Sequence, residues 1–210
     1  MASTDDEQLE SLAQWFRENG KALIAGIVIA VGGVFGWQQW GAYQERQAEA
    51  ASAAYMQLLD ARQTGADTDT VSRRARMLME DYPRTAYAAM GAFHLASHLV
   101  DAGELEAAVQ PLSWVVENVS DEGFRHVGRL RLAQVYIGKS DFNEALSILD
   151  VEATGSFTAE YAERRGDAYS GLGDTQAAVE AYDVAMGETA SGERRRLIQR
   201  KRDDLTQGNA

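Results

Sequence analysis

GELEAAVQPL at residues 103–112, SDFNEALSIL at 140–149 and GDTQAAVEAY at 173–182 are three copies of one pattern. Their central alanines, Ala108, Ala145 and Ala178, stand 37 and 33 positions apart. Upstream of each copy lies a second helical stretch with a shared spacing of its own: Leu95-Ala96 with Leu99, Leu132-Ala133 with Tyr136, and Gly166 with Tyr169. Each unit is therefore a pair of helices, and a lone pair cannot bury its apolar face. Neighbouring pairs must stack, and the small residues mark where two helices close to packing distance.

A period near 34 is that of tetratricopeptide (TPR) repeats. The units depart from a regular TPR in three ways. Arg165 stands where an apolar residue is expected, Glu152 stands where the other units have Val115 and Ala185, and none of the three ends in the usual proline. Before them, Ala48–Leu59 and Val71–Met79 read as another helical pair, parted by the turn-rich TGADTDT. After them, Glu193–Leu205 reads as a last helix, with Leu197, Ile198 and Leu205 for contact and a basic outer face, within a capping segment over about residues 191–207. The expected fold is all-α, with residues 41–210 forming a TPR-like right-handed α-solenoid of helical hairpins.

Ahead of the solenoid, ALIAGIVIAVGGVFGW at 22–37 holds no charged side chain, and none occurs between Lys21 and Glu45. A helix over residues 22–40 would be about 28 Å long, close to the ~30 Å of a hydrocarbon core. It is apolar on every face, and Trp37, Trp40 and Tyr43 gather at one end as an interfacial belt. The acidic segment before it and the bulky end after it are unlike a cleaved signal peptide, so the reading is an uncleaved anchor. Arg17 and Lys21 flank its start, whereas Arg46 alone follows closely on the far side, which places the N-terminus in the cytoplasm. Residues 1–21 read as a short amphipathic helix at the membrane surface, opened by a Thr4/Glu7 capping box, facing Leu9, Leu12, Ala13 and Phe16 one way and stopped by Asn19-Gly20. Within the anchor, Gly32 and Gly36 form the G-x-x-x-G spacing that lets two membrane helices approach.

The chain has no cysteine, which removes disulfides, thiolate nucleophiles and Cys-ligated metals. Its net charge of -12 argues against nucleic-acid binding. Residues 194–202 (RRRLIQRKR) resemble a basic localisation patch, but they also carry the periodicity of the capping helix. His94 and His98 share a helix without the carboxylate of a zinc motif or a third ligand. No nucleophile elbow, phosphate loop or dinucleotide fingerprint occurs, so no enzyme, cofactor or small-molecule substrate is expected.

Function is then sought on the concave face, which TPR units build from the first helix of each pair. Repeat register points Phe93 and Ser97, Leu130 and Gln134, and Glu163 and Asp167 inward, giving a groove graded from apolar to acidic. Phe93 and Leu130 offer apolar anchors that a partner segment could cover. TPR domains that clamp a free C-terminal carboxylate carry Lys and Asn at such places, and these positions have neither.

Anchor and repeats together carry a resemblance. WFRENGKALIAGIVIAVGGVFGWQQW at 15–40, AYAAMGAFHLASHLVDAGELEAAVQPL at 86–112, GRLRLAQVYIGKSDFNEALSIL at 128–149 and RRGDAYSGLGDTQAAVEAY at 164–182 are similar in order and spacing to the YfgM-like family of ancillary SecYEG translocon subunits of Gram-negative bacteria. The resemblance implies a single-pass inner-membrane protein with a periplasmic helical domain. It also implies association with the SecYEG translocon and with a membrane-anchored periplasmic chaperone of the PpiD type, assisting proteins as they emerge. Two other roles stay open: a TPR adaptor of another envelope or cell-division complex, and a stress regulator acting through the cytoplasmic N-terminus.

Overall fold

The computed structural model describes the backbone of residues 3–207 and the side chains of residues 13–206. Its helices are α1 (Ser3–Gln63), α2 (Thr68–Asp81), α3 (Ala86–Asp101), α4 (Leu105–Asn118), α5 (Glu122–Gly138), α6 (Phe142–Leu149), α7 (Thr158–Leu172), α8 (Thr175–Glu188) and α9 (Gly192–Gln207), with a single 3-10 turn at Gly155–Phe157. Among the described residues there is no strand. The chain divides into two units, Met1–Glu49 and Ala50–Ala210.

The described residues of the first unit lie within α1. Ile24, Val28, Ile29, Val31, Phe35 and Trp37 are all exposed, and the apolar window is long and apolar enough to cross a membrane with none of it buried inside the protein. The helix does not stop at Asn19-Gly20, as the sequence suggests. Asn19 Nδ2 donates to the Trp15 carbonyl one turn back, at 3.1 Å, so the side chain is satisfied within the helix. Gly20 is absent from the left-handed glycines and continues the α conformation. The Thr4/Glu7 capping box, Leu9 and Leu12 lie outside the residues whose side chains are described.

The second unit is a solenoid of hairpins. The last turns of α1 precede α2, then α3 pairs with α4, α5 with α6 and α7 with α8, and α9 packs on α8. First helices also touch one another, α3 to α5 and α5 to α7, and so form one face. Turn chemistry repeats with the hairpins. The first residue of each of the three copies, Gly103, Ser140 and Gly173, has positive φ (78°, 67° and 79°), the left-handed bend that reverses the chain. Only Ser140 adopts it with a side chain. Thr85, Asp121 and Asp174 cap α3, α5 and α8 by accepting from the backbone N–H of Ala88, Phe124 and Ala177.

The core runs along the stack as three clusters: one from Ala51 and Leu58 of α1 to Leu132 and Val135 of α5, one around Ala133, Ala145, Leu149 and Tyr161, and one around Ala162, Ala178, Tyr182 and Ile198. Ala108, Ala145 and Ala178 are each 0% exposed, which fixes the repeat register. Leucine in place of Ala145 must displace Leu149 or Tyr161, and overpacking of this kind costs about 2 kcal/mol. The expected result is a lower urea midpoint with an unchanged slope; an unchanged midpoint would mean that the site has slack.

The departures from a regular repeat have local causes. Arg165 Nη2 donates to the Leu149 carbonyl at 2.7 Å, closing the C-terminus of α6 where an apolar side chain could not. Glu152 belongs to no helix, because α6 ends at Leu149 and an irregular stretch with the 3-10 turn leads into α7. At the last helix Ile198 is fully buried and Leu205 packs beside it, but Leu197, expected as a contact, faces solvent.

Candidate functional site

The six inward positions read from the sequence fall in three different settings. Phe93, Ser97 and Gln134 come together along a cavity of about 400 Å³ between α3, α4 and α5, floored by Val100, Leu105 and Val135. Leu130 is instead packed into the middle core cluster. Glu163 and Asp167 lie under α9.

Phe93 and Leu130 are therefore not open anchors. Phe93 is only 8% exposed, its ring 6.2 Å from that of Phe124 and with the Arg131 guanidinium 4.5 Å above it. A cation over an aromatic face is favourable, so Arg131 acts as a lid on the ring while the residue as a whole stays exposed.

The acidic end is not an open surface either. Glu163 is 4% exposed; it accepts from Arg194 Nε at 3.0 Å and from Lys201 Nζ at 2.9 Å. Asp167 accepts from Lys201 Nζ at 2.8 Å, Arg164 Nη1 at 2.9 Å and the Tyr182 hydroxyl at 2.8 Å. Burial alone would raise the Glu163 carboxyl, but hydrogen bonds and charge from Lys201 and Arg194, with Arg164 behind them, hold it below the usual carboxylate range. Burial, followed by the Asp167 charge, pushes the Tyr182 phenol up. Four of the six basic residues at 194–202, Arg194, Arg195, Lys201 and Arg202, are thus spent internally, while Arg196 and Arg200 are exposed. Arg195 donates to the Met186 and Thr189 carbonyls at the end of α8, and Arg202 pairs with Asp183 at 2.7 Å.

The surface that stays open was not read from the sequence. A cavity of about 340 Å³ adjoins the first and shares Phe93, Ser97 and Arg131 with it, adding Tyr55 and Arg62 of α1 and His94 of α3. His94 Nδ1 lies 2.6 Å from Arg62 Nη1, and His94 Nε2 lies 2.9 Å from the Tyr55 hydroxyl. Burial, then the charges of Arg62 and Arg131, lower the His94 pKa. His98 turns away to Thr68 of α2, at 3.2 Å, so the two histidines serve different neighbours. The available signal was FRHVGRLR at 124–131, three arginines and a histidine within eight residues of an otherwise acidic domain. In α1, a Cβ added at Gly32 or Gly36 would meet nothing within 4 Å.

Comparison with known proteins agrees with this architecture. A family model described as a tetratricopeptide repeat-like domain matches residues 13–207. The ancillary SecYEG translocon subunit of Escherichia coli (strain K12) is 31% identical over 202 residues, 96% of this chain and 97% of the relative. Those of Haemophilus influenzae and Neisseria gonorrhoeae are 29% and 25% identical, covering 87% and 96% of this chain and 88% and 97% of the relatives. Among solved structures, a MamA protein (the RS-1 ArsTM double mutant) is similar with a TM-score of 0.52 at 14% identity, covering 76% of this chain and 96% of that one, a likeness of fold alone. The chain belongs to the tetratricopeptide repeat-like family of ancillary SecYEG translocon subunits.

Proposed function

We propose that this chain is a non-catalytic interaction module held beside the SecYEG translocon by residues 22–40, with its N-terminus in the cytoplasm and the helical domain in the periplasm. There it holds a periplasmic chaperone of the PpiD type near the proteins that emerge. End-to-end similarity to ancillary translocon subunits supports the setting, and the Arg17 and Lys21 flank supports the orientation. The observation that carries the interaction role is the pair of adjoining cavities on the face of the first helices, left open beside Phe93, Ser97 and Gln134 while α9 closes the far end. Gly32 and Gly36, with no neighbour of their own, offer a place where another membrane helix can approach.

Affinity purification of the tagged full chain from detergent-solubilised membranes tests this reading. The translocon and a membrane-anchored chaperone are expected to come down together. A co-purified set made instead of cell-division or other envelope proteins would replace it with the adaptor reading.

A further inference from the structure

The polar groups that meet between α1, α3 and α5 are arranged as hydrogen-bond donors. A guanidinium can only donate, so the 2.6 Å contact makes His94 Nδ1 the acceptor of Arg62 Nη1. The ring proton is then on Nε2 and is donated to the Tyr55 oxygen at 2.9 Å. This leaves the Tyr55 hydroxyl hydrogen and further N–H groups of Arg62 and Arg131 as donors on three residues that line the cavity. Among the described residues, no carboxylate pairs with Arg131. The one carboxylate near Arg62 is that of Asp101, 3.7 Å away and 70% exposed, too distant for a hydrogen bond. Two cations and a phenol around a neutral imidazole are complementary to an anion. The neighbouring cavity, beyond Arg131, is apolar at Val100, Leu105 and Val135.

We propose that this trough takes an extended segment of a partner protein by an internal Asp or Glu side chain, bound by Arg62, Arg131 and Tyr55, while an apolar side chain two residues along enters the cavity against Val100, Leu105 and Val135. The proposal rests on the reading that partners dock on the first-helix face, and it names the chemistry that face selects. Three features favour this ligand. Guanidinium groups match a carboxylate in shape as well as charge. Residues two apart in an extended segment point to the same face about 6.6 Å from each other, enough to place one side chain on each side of Arg131. The two cavities adjoin at Phe93, Ser97 and Arg131, so a segment that crosses from one to the other need not end in the trough.

The test uses the full chain in detergent micelles and a fluorescein-labelled, C-terminally amidated peptide, Ala-Ala-Glu-Leu-Phe-Glu-Leu-Ala-Ala, followed by fluorescence anisotropy. Saturable binding is expected, and it should weaken about tenfold when Gln replaces both Glu residues of the peptide, or when Arg131→Gln removes one charged partner. It should also weaken as salt is raised, since Arg131 is exposed to solvent. Ser97 is exposed, so Ser97→Trp should abolish binding by filling the trough with both arginines intact, and circular dichroism should show either variant folded. Equal binding of the neutral peptide, no effect of Arg131→Gln, or binding only of a peptide with a free C-terminal carboxylate would overturn the inference. Absence of saturable binding overturns it even where the tagged chain still brings down the translocon. Loss of the translocon from that purification, with peptide binding intact, overturns the proposed function and leaves this site standing.

Discussion

Replacing Glu163 with alanine is expected to lower the stability of the helical domain by about 3 kcal/mol, the low end of the cost of orphaning a buried charge partner. The low end applies because Arg194 and Lys201, at 31% and 30% side-chain exposure, can turn partly to water, and because Glu160 and Asp167 remain as alternative partners. For a domain of this size the loss corresponds to a fall of roughly 10 °C in melting temperature. It should also be local, since Glu163 joins α7 to α9. Hydrogen exchange over Gly192–Gln207 is expected to accelerate more than exchange in α3 or α4, and equal protection of α9 in the variant and the parent would show that its other contacts, through Ile198, Leu205, Arg195 and Arg202, suffice to hold the helix. The same carboxylate sets an acid limit. Its folded pKa lies below its ordinary value of 4.5, so the ion pair contributes fully above that value. The contribution is lost as pH falls through the folded value. As pH falls below 4.5 toward and through the folded value, α9 of the parent should therefore approach the exchange behaviour of the variant, and the variant should show less further change.

The stacking order was legible because it rests on spacing. Ala108, Ala145 and Ala178 recur where helices touch, and no surface pressure produces small residues at that interval. The anchor was legible because an unbroken apolar run has few other uses. Asn19-Gly20 misled because Asn and Gly signal a helix end only when the glycine takes a left-handed conformation, and nothing in the pair itself decides whether the asparagine will bond back to Trp15 instead. The groove was misread for a related reason. Repeat register turned Glu163 and Asp167 toward an open groove, but Arg194 and Lys201, which bond them, lie 31 to 38 residues away on α9, beyond the reach of any periodicity. Arg131 escaped notice because it follows the inward-pointing Leu130 in sequence; which of the two lines the trough depends on how α5 is rotated against α3, and Leu130 went to the core.

Leucine at Gly166 is expected to destabilise the domain by about 3 kcal/mol or more, the upper range of overpacking. Gly166 occupies the small position shared with Ala96 and Ala133, but its neighbour differs. A Cβ built there would lie 2.5 Å from the ring of Tyr182, closer than real contacts allow. A flexible side chain could swing clear, but this one is confined. Tyr182 is 3% exposed, and its hydroxyl donates to Asp167, which Lys201 of α9 also holds. The ring can retreat only by breaking that network. Alanine at 166 should be milder, because its overpacking cost of about 1–3 kcal/mol is offset by the ~1 kcal/mol gained on replacing a mid-helix glycine. Combining Gly166→Leu with Tyr182→Ala separates the two explanations. If the clash with the ring is the cause, the double variant should be more stable than the sum of the single losses by about 1–3 kcal/mol in a denaturation cycle. Additive losses would mean that the leucine clashes with groups other than the Tyr182 ring.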